Sequence, residues 1–490
     1  MRHRPLLTIG WFLGLLCLPA VAWLLGVRQP DVENRAKAAF PELNRSSLQA
    51  KETFAALDAA ILDRLPGRDR AITLRNRIAV DLFRDSPNPD IAIGDDGWLY
   101  FVPGLQTCVP GQQPAADPAD AAEIVARTLL ASGRRAAVIE PADKLLTHPQ
   151  DAPEIDAARA RCAKHDQDAV EARLRASPGG VEIDSALRRM EAADDPVFLK
   201  SDSHWNWRGR LVFLRRILNA IRPGLAEEAG LHVGAAIRQP GDLGTLLGIP
   251  RDDDDRAVGV RRTPRHPLPA GDLVIVGDSQ VERSLLASAG VGDGSASILD
   301  TVLPGQRYCT WPELQQSACD DLIRKAGTVV VESVGRNLLQ FEQLCPRLVA
   351  LSIEDMRGRP GSWERVDGGS QAPDAPLALP AGGDVRVRAV PADGDVSATP
   401  RLLLFPLRTL PPAPAGEPPA KVAFVQQPQA GPPAPCAWTE QAAVGQSLAL
   451  PVPAGRRASD LVVQLSAPAG TVLGRPEVVV LDGRRAVARR

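Results

Sequence analysis

The chain has 490 residues and a formal net charge of −2, with 57 Lys+Arg and 59 Asp+Glu interspersed along it. That length predicts two or three domains, and 44% hydrophobic with 24% charged residues is enough for substantial cores. The balanced charge carries no polyanion-binding footprint, which argues against nucleic acid as a partner.

At the N-terminus, Arg2, His3 and Arg4 precede an uncharged run over 6–27. As a helix this run rises roughly 33 Å, about one hydrocarbon core. Ala20-Val21-Ala22 supplies a small-x-small pattern for a signal peptidase. An uncleaved anchor and a cleaved signal therefore both stay open. Basic residues ahead of the run keep that end cytoplasmic, and either reading exports the rest. Cysteine usage agrees. Cys17 lies in the run, and Cys108, Cys162, Cys309, Cys319, Cys345 and Cys436 lie beyond it. An even number in an exported chain predicts disulfides. Cys309 and Cys319 are spaced for a short local loop, and Cys345–Cys436 is expected to staple the C-terminal region to the centre. C-x-x-C spacing is absent, so a structural zinc site is not expected.

Residues 46–83 carry helical periodicity, with Ala55, Leu57, Ile61 and Leu65 on one stripe and Pro66-Gly67 splitting the run into two helices. IAIGDDGWLYF (91–101) reads as strand-turn-strand. From about 120, helical stretches (AAEIVARTLLASG, WRGRLVFLRRILNAI) alternate with buried strands (RAAVIEP, DLVIVGDS, TVVVESV). Such alternation predicts an α/β fold with a mainly parallel sheet covered by helices. RDDDDR (251–256) is most simply a solvated loop. After about 350, proline and glycine rise, and six short β-type runs from DVRVRAV to EVVVLDG predict a C-terminal all-β, sandwich-like domain.

Two motifs carry chemistry. In GDLVIVGDSQVERSLLA (271–287), a four-residue apolar strand runs into Gly277-Asp278-Ser279 and a helix-like pattern follows. A serine there sits at the carboxyl edge of the sheet, where open α/β folds place their sites. Its N–H, at the head of a helix, points where an oxyanion would form. The plainer reading is an ordinary helix cap. In FLKSDSHWNWRG (198–209), Asp202 and His204 are two apart and share a side of an extended segment. Asp202 would then fix the His204 tautomer and leave the other ring nitrogen to take the Ser279 proton. For D-x-H alone, a polar histidine in a surface loop is the simpler account.

Taken together, GDS and D-x-H resemble the SGNH hydrolase superfamily, with the Asp-His element ahead of the serine. That order, with D-x-H-W, resembles the alginate O-acetyltransferase family (AlgX and AlgJ type). Further blocks agree in order: Glu33-Asn34-Arg35 with Phe40-Pro41, Gly94 to Phe101, Pro141 with Lys144, Gln239 to Leu247, and Glu332 with Arg336. At the place of a tyrosine-proline in relatives stands His148-Pro149. The resemblance covers about 30–350. It implies an SGNH-hydrolase-like domain in which Ser279 is the nucleophile, His204 the base and Asp202 its orienter. It also implies a periplasmic enzyme moving acetyl onto a polysaccharide acceptor, with a multi-spanning membrane-bound O-acyltransferase as donor. The usual glycine and asparagine oxyanion donors of the superfamily cannot be placed in this sequence. Gln280, Asn206, Arg283 and Tyr308 are candidate helpers, with structural roles as the alternative.

The expected organisation is an anchor or signal segment over 1–29, an acetyltransferase domain over 30–350, and a β-rich, carbohydrate-binding candidate over 351–490. Trp438 is the one tryptophan of 375–485, so a stacking platform for sugar is not evident. Nothing resembles an acetyl-CoA site, and neither cofactor nor metal is expected. The function expected is O-acetyl transfer to an exported polysaccharide, alginate or another exopolysaccharide, from the periplasmic side of the inner membrane. Two alternatives stand beside it: a polysaccharide acetylesterase, and a non-catalytic polysaccharide-binding scaffold.

Overall fold

Pro66-Gly67 divides the first helical stretch into α1 (Lys51–Leu62) and α2 (Arg68–Arg77), with Gly67 at φ +88° in the left-handed region that glycine tolerates. The computed structural model describes residues 9, 11–14, 17–18, 21–23, 25–27, 37–44, 47–109, 116–153, 157–286, 297–354, 356–366, 375–379, 384–390, 396–412, 422–428, 433–437, 440–441, 444–483 and 487–488. Glu33, Asn34, Arg35, Trp438 and parts of the 6–27 run lie outside these residues. Among the described residues, no helix is long and apolar enough to cross a membrane. The stripe expected on α1 is not buried as such. Ile61 is 44% exposed, and the buried residue of α1 is Ala60. Helical periodicity located the helix but not the side that packs.

β1 (Ile91–Ile93) and β2 (Leu99–Phe101) form an antiparallel hairpin, Ile91 opposite Phe101, around a tight turn at Asp95–Gly97. Next come α3 (Pro118–Ala131), capped by Asp117, then β3 (Arg135–Ile139), α4 (Lys144–Thr147), α5 (Ala157–Ala176), α6 (Asp184–Glu191) and α7 (Trp207–Ile221). The chain continues through β4 (His232–Pro240), α8 (Asp242–Leu246), β5 (Asp252–Gly259), β6 (Leu273–Gly277) and α9 (Ser279–Val281). The α/β part closes with β7 (Arg307–Thr310), β8 (Thr328–Glu332) and α10 (Leu338–Ile353).

Four strands form a parallel sheet in the order β3-β8-β6-β7. Successive side chains of a strand point to opposite faces, so each face receives alternate residues. Val138, Val274, Val276, Val329 and Val331 pack under α3 and α10, whereas Ala137, Ile139, Leu273, Ile275 and Val330 pack under α7. Burying one such valine or isoleucine stabilises by about 1.5–3 kcal/mol, which is why these strands read as unbroken apolar runs.

β4 and β5 form a long antiparallel hairpin, Arg238 opposite Asp254. The acidic run 251–256 is therefore largely a strand, not the solvated loop its charge suggests. Alternation separates its carboxylates. Asp252 and Asp254 face outward, while buried Asp255 pairs with Arg210 and caps the Trp207 N–H of α7 at 2.9 Å.

Antiparallel strands follow α10. One sheet runs Arg359–Pro360, Glu477–Val480, Arg401–Thr409, Val472–Leu473, Leu377–Ala378, with Ser447–Val452 also on Arg401–Thr409. The other runs Ser362–Arg365, Asp384–Val390, Leu461–Ser466, Val422–Pro428, Glu440–Gln441. Leu403, Phe405 and Leu407 join a core between the sheets, whereas Leu402 and Leu404 join the core of α3 and α10. The first sheet is thus covered on both faces. Three disulfides tie the chain: Cys108–Cys162, Cys309–Cys319 and Cys345–Cys436, the last two as expected from their spacing and position. Cys345–Cys436 joins α10 to the β-rich region, and such bonds fit an extracytoplasmic location.

Candidate active site

The segment between α6 and α7 folds back on itself. Phe198 bridges Trp205, the Leu199 N–H donates to the His204 carbonyl at 3.2 Å, and the Asn206 N–H donates to the Val197 carbonyl at 2.9 Å. At its tip Asp202 is fully buried, and His204 is 6% exposed. The Asp202 Oδ1 accepts the His204 backbone N–H at 2.8 Å and lies 2.5 Å from His204 Nδ1. Its Oδ2 accepts the Asp242 N–H at 3.3 Å and stands 3.1 Å from Arg283 Nη1. Burial works against this carboxylate's charge. The His204 hydrogen bonds and charge, with Arg283, outweigh it and hold Asp202 well below the usual carboxylate range. His204 Nε2 is buried and has no hydrogen-bond partner among the described residues.

Ser279 opens α9 directly after β6. The Asp278 side chain caps it, with Oδ1 accepting the Gln280 N–H at 2.9 Å and Oδ2 accepting the Val334 N–H at 2.9 Å and the Asn337 amide at 2.8 Å. Glu332, at the end of β8, accepts the Asp278 N–H at 3.2 Å. A Cβ on Gly277 would lie 3.0 Å from that carboxyl and 2.7 Å from Val281, so glycine permits the close turn. Burial, then the negative Asp278, pushes the Glu332 carboxyl well up. The Tyr308 hydroxyl donates to the carbonyls of Gly277 at 3.1 Å and Asp278 at 2.9 Å.

The two segments meet through residues that follow Ser279. The Gln280 amide donates to the Ser203 carbonyl at 3.2 Å, and Arg283, 33% exposed, pairs with Asp202. Of the sequence-derived helpers, Gln280 and Arg283 thus bind the D-x-H loop, and Tyr308 supports the turn beneath the serine. The Asn206 side chain is occupied as the α7 cap, accepting from Arg208 N–H at 2.8 Å and donating to the carbonyls of Pro196 and Phe198.

Asp242 was visible in the sequence only as part of a D-L element, without a role. Its carboxylate accepts the Ser203 N–H at 2.7 Å and hydroxyl at 2.6 Å, with Oδ2 3.4 Å from His204 Nδ1. Nothing local in the sequence links it to a loop 40 residues earlier. Asp202, His204 and Asp242 offer three ligand atoms within 4.8 Å of one another. Each carboxylate there already accepts hydrogen bonds from the loop, as an oriented Asp-His pair requires.

Residues 91–280, which include Asp202, His204 and Ser279, match the family described as an SGNH hydrolase-like domain, acetyltransferase AlgX. The O-acetyltransferase domain of Pseudomonas putida AlgJ is similar in structure with a TM-score of 0.39 at 18% identity, over 51% of this chain and 93% of that one. Pseudomonas aeruginosa AlgX is similar with a TM-score of 0.34 at 10% identity, over 80% of this chain and 94% of that one. No curated protein matches the chain in sequence.

Proposed function

We propose that this chain, whose residues 91–280 match the SGNH hydrolase-like domain of the AlgX acetyltransferase family, transfers acetyl groups to hydroxyls of an exported polysaccharide through Ser279, His204 and Asp202. The observation that carries the reading is the state of His204. One ring nitrogen is fixed 2.5 Å from a buried carboxylate, and the other is buried and without a partner among the described residues, in a loop that Gln280, the residue after Ser279, holds through the Ser203 carbonyl.

In this mechanism Ser279 Oγ attacks the acetyl carbonyl of a donor ester or thioester while His204 Nε2 takes its proton. Asp202 steadies the imidazolium, and the Ser279 N–H is the oxyanion donor offered by the backbone. His204 returns the proton to the leaving group, and an acetyl-serine remains. A sugar hydroxyl then attacks the acetyl carbonyl and gives its proton to His204 Nε2, which restores it to Ser279 Oγ. Water in place of the sugar would give hydrolysis.

The wider setting belongs to the same proposal. Residues 6–27 tether the chain to the inner membrane or are removed on export, 30–350 work in the periplasm, and a membrane-bound O-acyltransferase delivers acetyl. The polymer, alginate or another exopolysaccharide, is held by 351–490. Arg386 and Val425, exposed on the second sheet, mark the face open for that task.

The test is acetyl release from a chromogenic ester, followed by product analysis with polysaccharide present. Ser279→Ala and His204→Ala should each lose about 10⁴ to 10⁶ in rate. Acetyl should appear on sugar. Free acetate alone would make the protein an esterase, and equal rates for wild type and Ser279→Ala would remove the serine from the mechanism.

A further inference from the structure

Lys144 begins α4 and is 1% exposed. An ammonium taken from water needs its hydration replaced. Burial pulls the Lys144 amine down to about 7, against the charges of Asp253 and Asp202, and four backbone carbonyls replace the lost water and favour the ammonium. Nζ donates to Leu99 O at 2.7 Å, Leu199 O at 2.7 Å, Lys200 O at 2.9 Å and Asp202 O at 3.0 Å. Three N–H donors serve four acceptors, so one is shared. The rings of Trp98 and Tyr100 cover a further side, with centroids 4.8 and 5.2 Å from Nζ. Three of the four carbonyls come from the stretch 199–202 that ends at Asp202. Their oxygens converge on one point, and like ends of dipoles repel unless a cation sits between them.

The other end of the pin is also fixed. The α4 cap Asp143, which is buried, pairs with the half-buried Arg336 at 2.9 Å. Lys144 therefore ties the D-x-H loop to an element that does not otherwise carry chemistry. The Asp202 carbonyl turns toward Lys144 while its carboxylate turns toward His204.

We propose that Lys144 is the positioning residue of the Asp202–His204 loop: its ammonium gathers the carbonyls of Leu199, Lys200 and Asp202 and so sets the direction in which Asp202 presents its carboxylate to His204. The inference rests on reading Asp202, His204 and Ser279 as the catalytic groups. Lys144 touches neither substrate nor a reacting atom.

The test uses the full chain and a chromogenic acetyl ester. Lys144→Met keeps the apolar stem and removes every donor. The rate constant kcat should fall about 100-fold at unchanged KM, the cost of a small misplacement of a catalytic group. The downfield proton resonance of His204 Nδ1–H shared with Asp202 should vanish. Lys144→Gln, with two N–H donors left, should fall between, and methylammonium should restore part of the rate of Lys144→Ala. A Lys144→Met variant with wild-type kcat and an unchanged resonance overturns the inference. Should that variant fail to fold by circular dichroism, Lys144→Ala decides, and a rate indifferent to methylammonium sinks the idea. Ser279→Ala run in parallel separates the two readings. If it stays active, the site itself is misassigned. If it is inactive while Lys144→Met is active, only the role of Lys144 is lost.

Discussion

Two buried histidines differ in what their second nitrogen does. His148 lies 2.5 Å from Glu191 through Nδ1 and 2.9 Å from Asp151 through Nε2, and its ring stacks on Trp98 at 3.8 Å. Both nitrogens are occupied, so it can only brace the structure. His204 keeps Nε2 open, and on the proposed mechanism that difference is the activity. Asp202→Asn tests it. An amide donating to Nδ1 would force the proton onto Nε2 and remove the base, so kcat should drop about 10⁴-fold with the fold retained. Asp184 makes a prediction of a different kind. Burial lifts its carboxyl to about 7, against the pull of the Ala142 N–H and the Gln167 amide. A carboxyl raised above its ordinary value of 3.8 gives stability that is fully present below that value and lost as pH rises through about 7. Asp202, held low, contributes the other way and matters only in acid. The thermal midpoint should therefore decline from about pH 4 to 8, and Asp184→Asn should flatten the decline. The D-x-H and GDS elements of the candidate site could be proposed from sequence because their residues are neighbours there. The contacts that Asp242 and Lys144, visible only within short family-like blocks, make to that site could not, because they span 39 and 58 residues.

At the scale of elements, β5 shows how a charge run can mislead. Composition made 251–256 a loop, yet period-two alternation sends Asp252 and Asp254 to solvent and Asp253 and Asp255 to partners inside. Asp253 accepts the Ser201 N–H at 2.9 Å and hydroxyl at 2.8 Å, so the strand also steadies the residue before Asp202. Asp255 holds Arg210 and the first N–H of α7. Its loss leaves a buried guanidinium without its charge partner. Asp255→Ala should destabilise the protein by about 3–5 kcal/mol in denaturant unfolding, far more than the same change at exposed Asp254. Three strands of the parallel sheet, β3, β6 and β8, were readable for the opposite reason: both faces are covered, so their centres are apolar runs, whereas the edge strand β7, Arg307-Tyr308-Cys309-Thr310, carries no such run and was not read.

For the whole molecule, the chain-entropy account of disulfides gives the Cys345–Cys436 bond a measurable weight. It closes a loop of 91 residues, worth about 4–5 kcal/mol in the unfolded ensemble. Cys345→Ser with Cys436→Ser should lower the urea midpoint accordingly while acetyl-ester turnover persists, because neither sulfur approaches Ser279 through any bond described. The two halves should still melt together, since Leu402, Leu404, Ala449, Val479 and Leu481 share a core with α3 and α10. Sequence reading supplied both halves but not that seam, because alternation alone says which residues are a pair of faces and not what covers each.

From Leu402 to Leu407 every residue is buried, with even positions 402 and 404 turned to the helices and odd positions turned to the second sheet. This strand is a party wall, and the parity of a position decides which household a mutation disturbs. Drift at 403, 405 or 407 should be felt by the β-rich region alone, and drift at 402 or 404 by the α/β domain as well. The wall leaves no side for ornament, so any new recognition the protein acquires must be written on the other sheet or in the loops.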